Sequence, residues 1–138
     1  MKASLAQGVT ATSKLTVDRE RTIDFMGEKA RVYATPMLVR DVEIACRELL
    51  LPHLDPGEDS VGTRIELDHL AATLMGMPVE LKVTVAEVKG RAVALDVEGR
   101  DGIELICRGR HHRFIVDVKT TEARLAAKAA KAAKAGLA

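Results

Sequence analysis

Hydrophobic and polar positions change period twice along this chain. Residues 8–18 are rich in Thr and Val with partial alternation and predict an edge strand. Residues 19–30 are charged without a clear period and read as loop or short helix. From Met37 to Leu51 the pattern becomes helical: Leu38, Val42, Ala45 and Leu49 recur at helical spacing, while Val39, Cys46 and Leu50 widen the stripe. So broad an apolar face predicts a largely buried helix. Thr35 fits as its N-cap and Pro36 as its first helical residue, where a missing N–H costs nothing; Pro52 ends it.

Past the turn composition of Asp55–Ser60, two-residue alternation takes over. Strands are predicted over residues 61–73 (through Ile65, Leu67 and His69), 79–88, 92–99 and 103–117, where Ile103, Leu105 and Cys107 share a face. Lys89-Gly90-Arg91 and Asp101-Gly102 supply hairpin turns. A strand, a helix and then four consecutive antiparallel strands make an α+β domain with the helix against the sheet. That domain is expected to cover residues 1–120. Residues 121–138, alanine-rich with Lys128, Lys131 and Lys134, are expected to form an exposed, partly helical tail.

Composition narrows the function. With 138 residues there is room for one domain with a real core. Only 2% of residues are aromatic, so few side chains could stack on bases, and the net charge of +1 gives no global field for polyanions. Both features argue against nucleic-acid binding. Two cysteines, Cys46 and Cys107, are too few for a disulfide scaffold and lack metal-binding spacing. They read as reduced and buried, and no metal is expected. No apolar run suits a signal peptide or a membrane span, so the expected location is cytoplasmic.

Three polar residues could carry chemistry. Thr35, at a helix start with unpaired N–H groups, is either a simple cap or part of an oxyanion site. Glu43, in the most apolar helix, either pairs with Arg40 or Arg47 or faces a cleft as a base. His69, in phase with Ile65 and Leu67, is either a satisfied core histidine or a proton carrier. Eight residues separate Thr35 from Glu43, about 12 Å along one helix, so the two cannot touch within it. His111 and His112 point to opposite strand faces and make a poor metal pair, and His53 is expected to be exposed.

The stretches Val32-Tyr33-Ala34-Thr35, Glu43 with Ala45-Cys46, Leu54-Asp55-Pro56-Gly57-Glu58, Gly62-Thr63, and His69 with Ala71-Ala72-Thr73 resemble the fluoroacetyl-CoA thioesterase family of the hot-dog superfamily. The resemblance runs without gaps over about residues 32–76 and continues, with Arg113, to about 118. It implies a hot-dog fold, a long helix wrapped by about five antiparallel strands, and a homodimer with active sites at the subunit interface. It further implies hydrolysis of an acyl-CoA, with Thr35, Glu43 and His69 catalytic and Gly62 and Arg113 binding substrate. Coenzyme A would be part of the substrate, and no cofactor is expected. The segment Phe25–Arg31 departs from the family: it is shorter and holds one phenylalanine, so a general short-chain acyl group is expected rather than fluoroacetyl alone. The same shortened segment supports the alternative, a hot-dog module that binds acyl-CoA without turnover.

Overall fold

The computed structural model describes residues 1–138. Alternating apolar residues build five long strands: β1 (Thr10–Thr16), β4 (Glu58–His69), β5 (Pro78–Lys89), β6 (Ala92–Arg100) and β7 (Leu105–Asp117). A two-residue pair, β2 (Thr22–Ile23) and β3 (Val32–Tyr33), stands apart. The helices are α1 (Thr35–Leu50) and α2 (Val118–Lys134). The main sheet is antiparallel throughout, in the order β1-β5-β6-β7-β4, so β4 forms one open edge and the shorter β1 the other.

One face of this sheet receives α1. Leu38, Val42, Ala45, Cys46, Leu49 and Leu50 are buried on the helix, against Leu81, Val83, Leu95, Ile106 and Ile115 of the strands. Each such aliphatic side chain contributes about 1.5–3 kcal/mol by leaving water. The core is aliphatic because the chain has almost nothing else to put there. Tyr33 is its single buried aromatic. No helix is long and apolar enough to cross a membrane. Helix α2, exposed along its whole length, leaves the sheet directly after β7.

Local differences from the sequence reading have local causes. Ile103 is not in a strand. The Asp101 carboxylate accepts the N–H groups of Ile103 (3.0 Å) and Glu104 (3.1 Å), closing a turn that leaves Ile103 78% exposed and starts β7 at Leu105. Residues 70–73 drop out of β4 because the N–H groups of Leu70 and Ala71 both turn to the Ile106 carbonyl. Residues 19–30 form two single 3₁₀ turns around β2. His53 is half-buried, held 2.8 Å from the Ser4 hydroxyl, rather than exposed.

Strand β4 carries one irregularity that matters below. Gly62 pairs with Arg113 and Arg64 with His112, leaving Thr63 as an extra residue in a bulge. Ser60 therefore faces the helix on one side of the bulge, and Ile65, Leu67 and His69 on the other.

Candidate active site

The start of α1 departs from the expected cap. Ala34, extended at ψ 135°, is the N-cap, and its carbonyl accepts the N–H groups of both Met37 (3.0 Å) and Leu38 (2.9 Å). Thr35 is thus the first helical residue and its hydroxyl is not used for capping. That oxygen lies 2.8 Å from Nδ1 of His69, thirty-four residues away in sequence. Pro36 has no N–H, so the first turn keeps one free backbone donor, that of Thr35.

His69 closes β4 on the helix-facing side. The Tyr33 ring meets it edge-on, with centroids 6.5 Å apart and planes at 82°. Burial pushes the imidazole pKa below its usual 6.5, keeping the ring neutral near pH 7. Its Nε2 is buried and has no hydrogen-bond partner. The pair opens onto a cleft of about 460 Å³ walled mainly by apolar groups, among them Ile23, Val32, Ala34, Leu70 and Ala71. Phe25 stands at its rim, 86% exposed. A groove of similar volume (about 430 Å³) on the outer sheet face is lined by Asp68, Lys82, Asp96, Glu98 and Arg108. Its opposite charges offset one another, its one hydroxyl, Thr84, is bonded to Thr10 with no histidine beside it, and a single hydrophobic residue lines it, so it lacks the hydroxyl–imidazole pair and apolar wall of the first cleft.

Glu43, Gly62 and Arg113 form a second cluster. Arg113 is 3% exposed, and its guanidinium donates from Nε to the Ser60 hydroxyl (2.7 Å) and from Nη2 to the Ser60 carbonyl (2.7 Å). Its Nη1 donates to His111 Nε2 (3.1 Å) and lies 3.5 Å from the Glu43 carboxylate. This contact replaces the expected pairing of Glu43 with Arg40 or Arg47, since Arg47 forks onto Asp59 at 3.0 and 2.7 Å. Glu43 is not buried within the chain; half of its side chain meets solvent. Gly62 sits where a side chain would be crowded. A Cβ there would lie 3.2 Å from the His111 ring and 3.5 Å from both Arg113 and Glu43.

Thr35 and His69 are therefore together, and Glu43, Gly62 and Arg113 are together, but the two sets lie at different points along α1, about 12 Å apart. His111 had been set aside as half of a poor metal pair. Its alternation with Arg113 on one strand face was the signal that it joins this cluster. Burial holds its pKa down, with Arg113 adding to the effect. The cysteines take no part: burial pushes Cys46 up to about 12 and Cys107 up to about 11. No group of three His, Cys, Asp or Glu residues could hold a metal ion.

Comparison with known proteins places the chain in a family and a fold. Residues 17–119 match the family model described as fluoroacetyl-CoA-specific thioesterase. The fluoroacetyl-CoA thioesterase of Streptantibioticus cattleyicolor is 30% identical over 132 residues, covering 91% of this chain and 95% of that protein. A crystal structure of a single-site variant of the fluoroacetyl-CoA-specific thioesterase superposes with a TM-score of 0.84 at 30% identity, covering 92% of this chain and 99% of that one. A thioesterase superfamily member from Thermus thermophilus gives 0.83 at 31% identity, with coverage of 91% and 93%. An α1 packed on a five-stranded antiparallel sheet, followed by a C-terminal helix, is the hot-dog architecture, and the chain belongs to the fluoroacetyl-CoA-specific thioesterase family of that superfamily.

Proposed function

We propose that this protein hydrolyses short-chain acyl-CoA thioesters at composite sites formed by two copies of the chain. The observation that carries the reading is the Thr35–His69 hydrogen bond of 2.8 Å at the mouth of an apolar cleft. A neutral imidazole accepting from a hydroxyl is the arrangement that general-base activation of a nucleophile requires. The Thr35 oxygen attacks the thioester carbonyl carbon as its proton passes to His69 Nδ1. The carbon–sulfur bond then breaks, and the imidazolium returns the proton to the departing CoA sulfur. A water molecule deprotonated by Glu43 of the partner subunit then attacks the acyl-threonine carbonyl; the bond to the Thr35 oxygen breaks, that oxygen takes back the proton, and the acid is released.

The second copy enters because the first turn of α1 leaves a single donor for an oxyanion: Pro36 has no N–H, the Ala34 carbonyl occupies two more, and that of Thr35 alone is free. Strand β4 is an uncovered twelve-residue edge, which favours pairing with another strand. Two β4 strands paired antiparallel about Glu66 would set Ile65 against Leu67 and, counting the bulge at Thr63, His69 against Gly62. The Gly62 N–H, Glu43 and Arg113 of one chain would then meet Thr35 and His69 of the other, with Arg113 beside the thioester. Related structures support the substrate class: one variant of the fluoroacetyl-CoA-specific thioesterase was crystallised with fluoroacetate and CoA, and another with acetyl-CoA.

The test is complementation. Thr35→Ala and Glu43→Ala proteins should each release little free thiol from acetyl-, propionyl- or fluoroacetyl-CoA. After co-refolding in equal amounts, statistical dimers should recover about a quarter of wild-type activity, because one site per mixed dimer is whole. No recovery from two folded, inactive variants would contradict shared sites. Binding without turnover is a second reading, favoured by the exposure of Phe25, which leaves the cleft open. Calorimetric binding of acyl-CoA with no thiol release by the wild type would select it.

A further inference from the structure

Asp41 is a carboxylate on the buried face of α1, 5% exposed, where a charge is costly unless fully paired. Two groups from different segments converge on it. Arg21 donates from Nε to Oδ2 (2.8 Å) and from Nη2 to Oδ1 (3.2 Å), a two-pronged contact. The Tyr33 hydroxyl, itself buried, donates to Oδ2 as well. Both donors lead to the cleft. The Arg21 carbonyl accepts the N–H of Ala34, the N-cap of α1, and the next residues, Thr22 and Ile23, pair with Tyr33 and Val32. Tyr33 presents its ring edge-on to His69.

We propose that Asp41 is a positioning residue that sets the geometry of the Thr35–His69 pair through Tyr33 and Arg21, an assignment that rests on the thioesterase reading. Tyr33 fixes the plane of an imidazole whose second nitrogen has no partner of its own to orient it. Arg21 fixes the backbone just before Thr35 and carries Ile23, part of the cleft wall. A purely stabilising ion pair would need neither Tyr33 nor contact with the helix start. Small displacements of a nucleophile or its base are enough to lower turnover without abolishing binding.

Asp41→Asn keeps the shape and removes the charge; Tyr33→Phe removes only the hydroxyl and leaves Asp41 paired with Arg21. The folded Asp41→Asn protein should lose about tenfold in kcat, and Tyr33→Phe about threefold, with KM for acetyl-CoA changed less than twofold in both. The double variant should be no slower than Asp41→Asn, because both act through one contact. Nitrogen-15 spectra of the His69 ring should shift or broaden in both variants, a readout that a loss of stability alone would not move. Unchanged kcat and unchanged His69 spectra in folded Tyr33→Phe and Asp41→Asn would overturn the assignment. Should Asp41→Asn not fold, Tyr33→Phe decides alone. If the wild type releases no thiol, the thioesterase reading fails, and the His69 spectra still decide whether Asp41 orients that ring.

Discussion

The Thr35 hydroxyl and His69 Nδ1 lie 2.8 Å apart, one at the first residue of α1 and the other at the last residue of β4. Neither position is loop. A helix start and a strand end, each braced by the core, hold the two groups without a mobile element between them. Because burial lowers the His69 pKa, the imidazole is already deprotonated near neutrality and suits the proposed role of base. The rate constant kcat/KM for acyl-CoA should therefore fall on the acid side with an apparent pKa below 6.5 and owe no loss to this group above it. An acid limb with an apparent pKa above 7 would contradict this role.

The same burial sets a stability trend. His69 and His111 both have folded pKa values below the unfolded value of 6.5. Protons therefore bind the unfolded chain more readily. The contribution of these two groups is complete above pH 6.5 and is lost as pH falls through their folded values. Thermal melts taken down from pH 7 should show it, and the trend should weaken in His111→Gln.

Arg113 is tied to Ser60 through two atoms and to His111 through a third. Arg113→Met would leave those acceptors buried without a donor, at a cost of about 3 kcal/mol. Arg113→Lys, which restores charge but not the planar fork, should recover only part of that. Urea unfolding of the three proteins checks both statements.

Pairing of two β4 edges about Glu66 brings that residue face to face with its own copy. Glu66→Cys should form an intermolecular disulfide under mild oxidation, visible as a dimer on a non-reducing gel, because opposed strand residues lie about 4.5–5.5 Å apart at Cα. Glu104→Cys, far from that edge, should not. Absence of the Glu66→Cys dimer would remove the proposed register.

Gly109 sits where β7 leaves no room for a side chain beside β4. A Cβ there would fall 1.9 Å from the Glu66 carbonyl oxygen and 2.8 Å from the Leu67 Cα. Gly109→Ala must push β7 away from the edge strand β4, and a loss above about 4 kcal/mol is expected. Removal of residues 121–138 should cost little. Helix α2 buries no residue, so the melting temperature should stay within about 3 °C. The two variants can be compared by circular dichroism in one experiment.

Much of this architecture could be read from the chain because its apolar periods are clean. The long helix after Thr35, the hairpin at Gly90 and the run of strands that follows come from spacing alone, whereas the pairing of β4 with β7 rather than β5 does not. The site was less legible, and for physical reasons. Thr35 looked like a cap because threonine before proline normally is one; only the extended Ala34 and the distant His69 redirect its hydroxyl. Glu43 seemed destined for Arg47 at helical spacing, but Asp59 on β4 claims that arginine. Asp41 carries no signal in the sequence, since nothing local announces that Arg21 and Tyr33 will fold over it. In each case the deciding partner lies far along the chain, where pattern has no reach.

Thr63 settles a question of parity. Seven positions separate Gly62 from His69, and in an unbroken pleat an odd count puts two side chains on opposite sides of the ribbon. The single supernumerary residue makes the count effectively even, so the crowded side of Gly62 and the imidazole face the same way. An inserted or deleted residue elsewhere between them would turn one of the two toward solvent while leaving the sheet intact, silencing the protein without unfolding it.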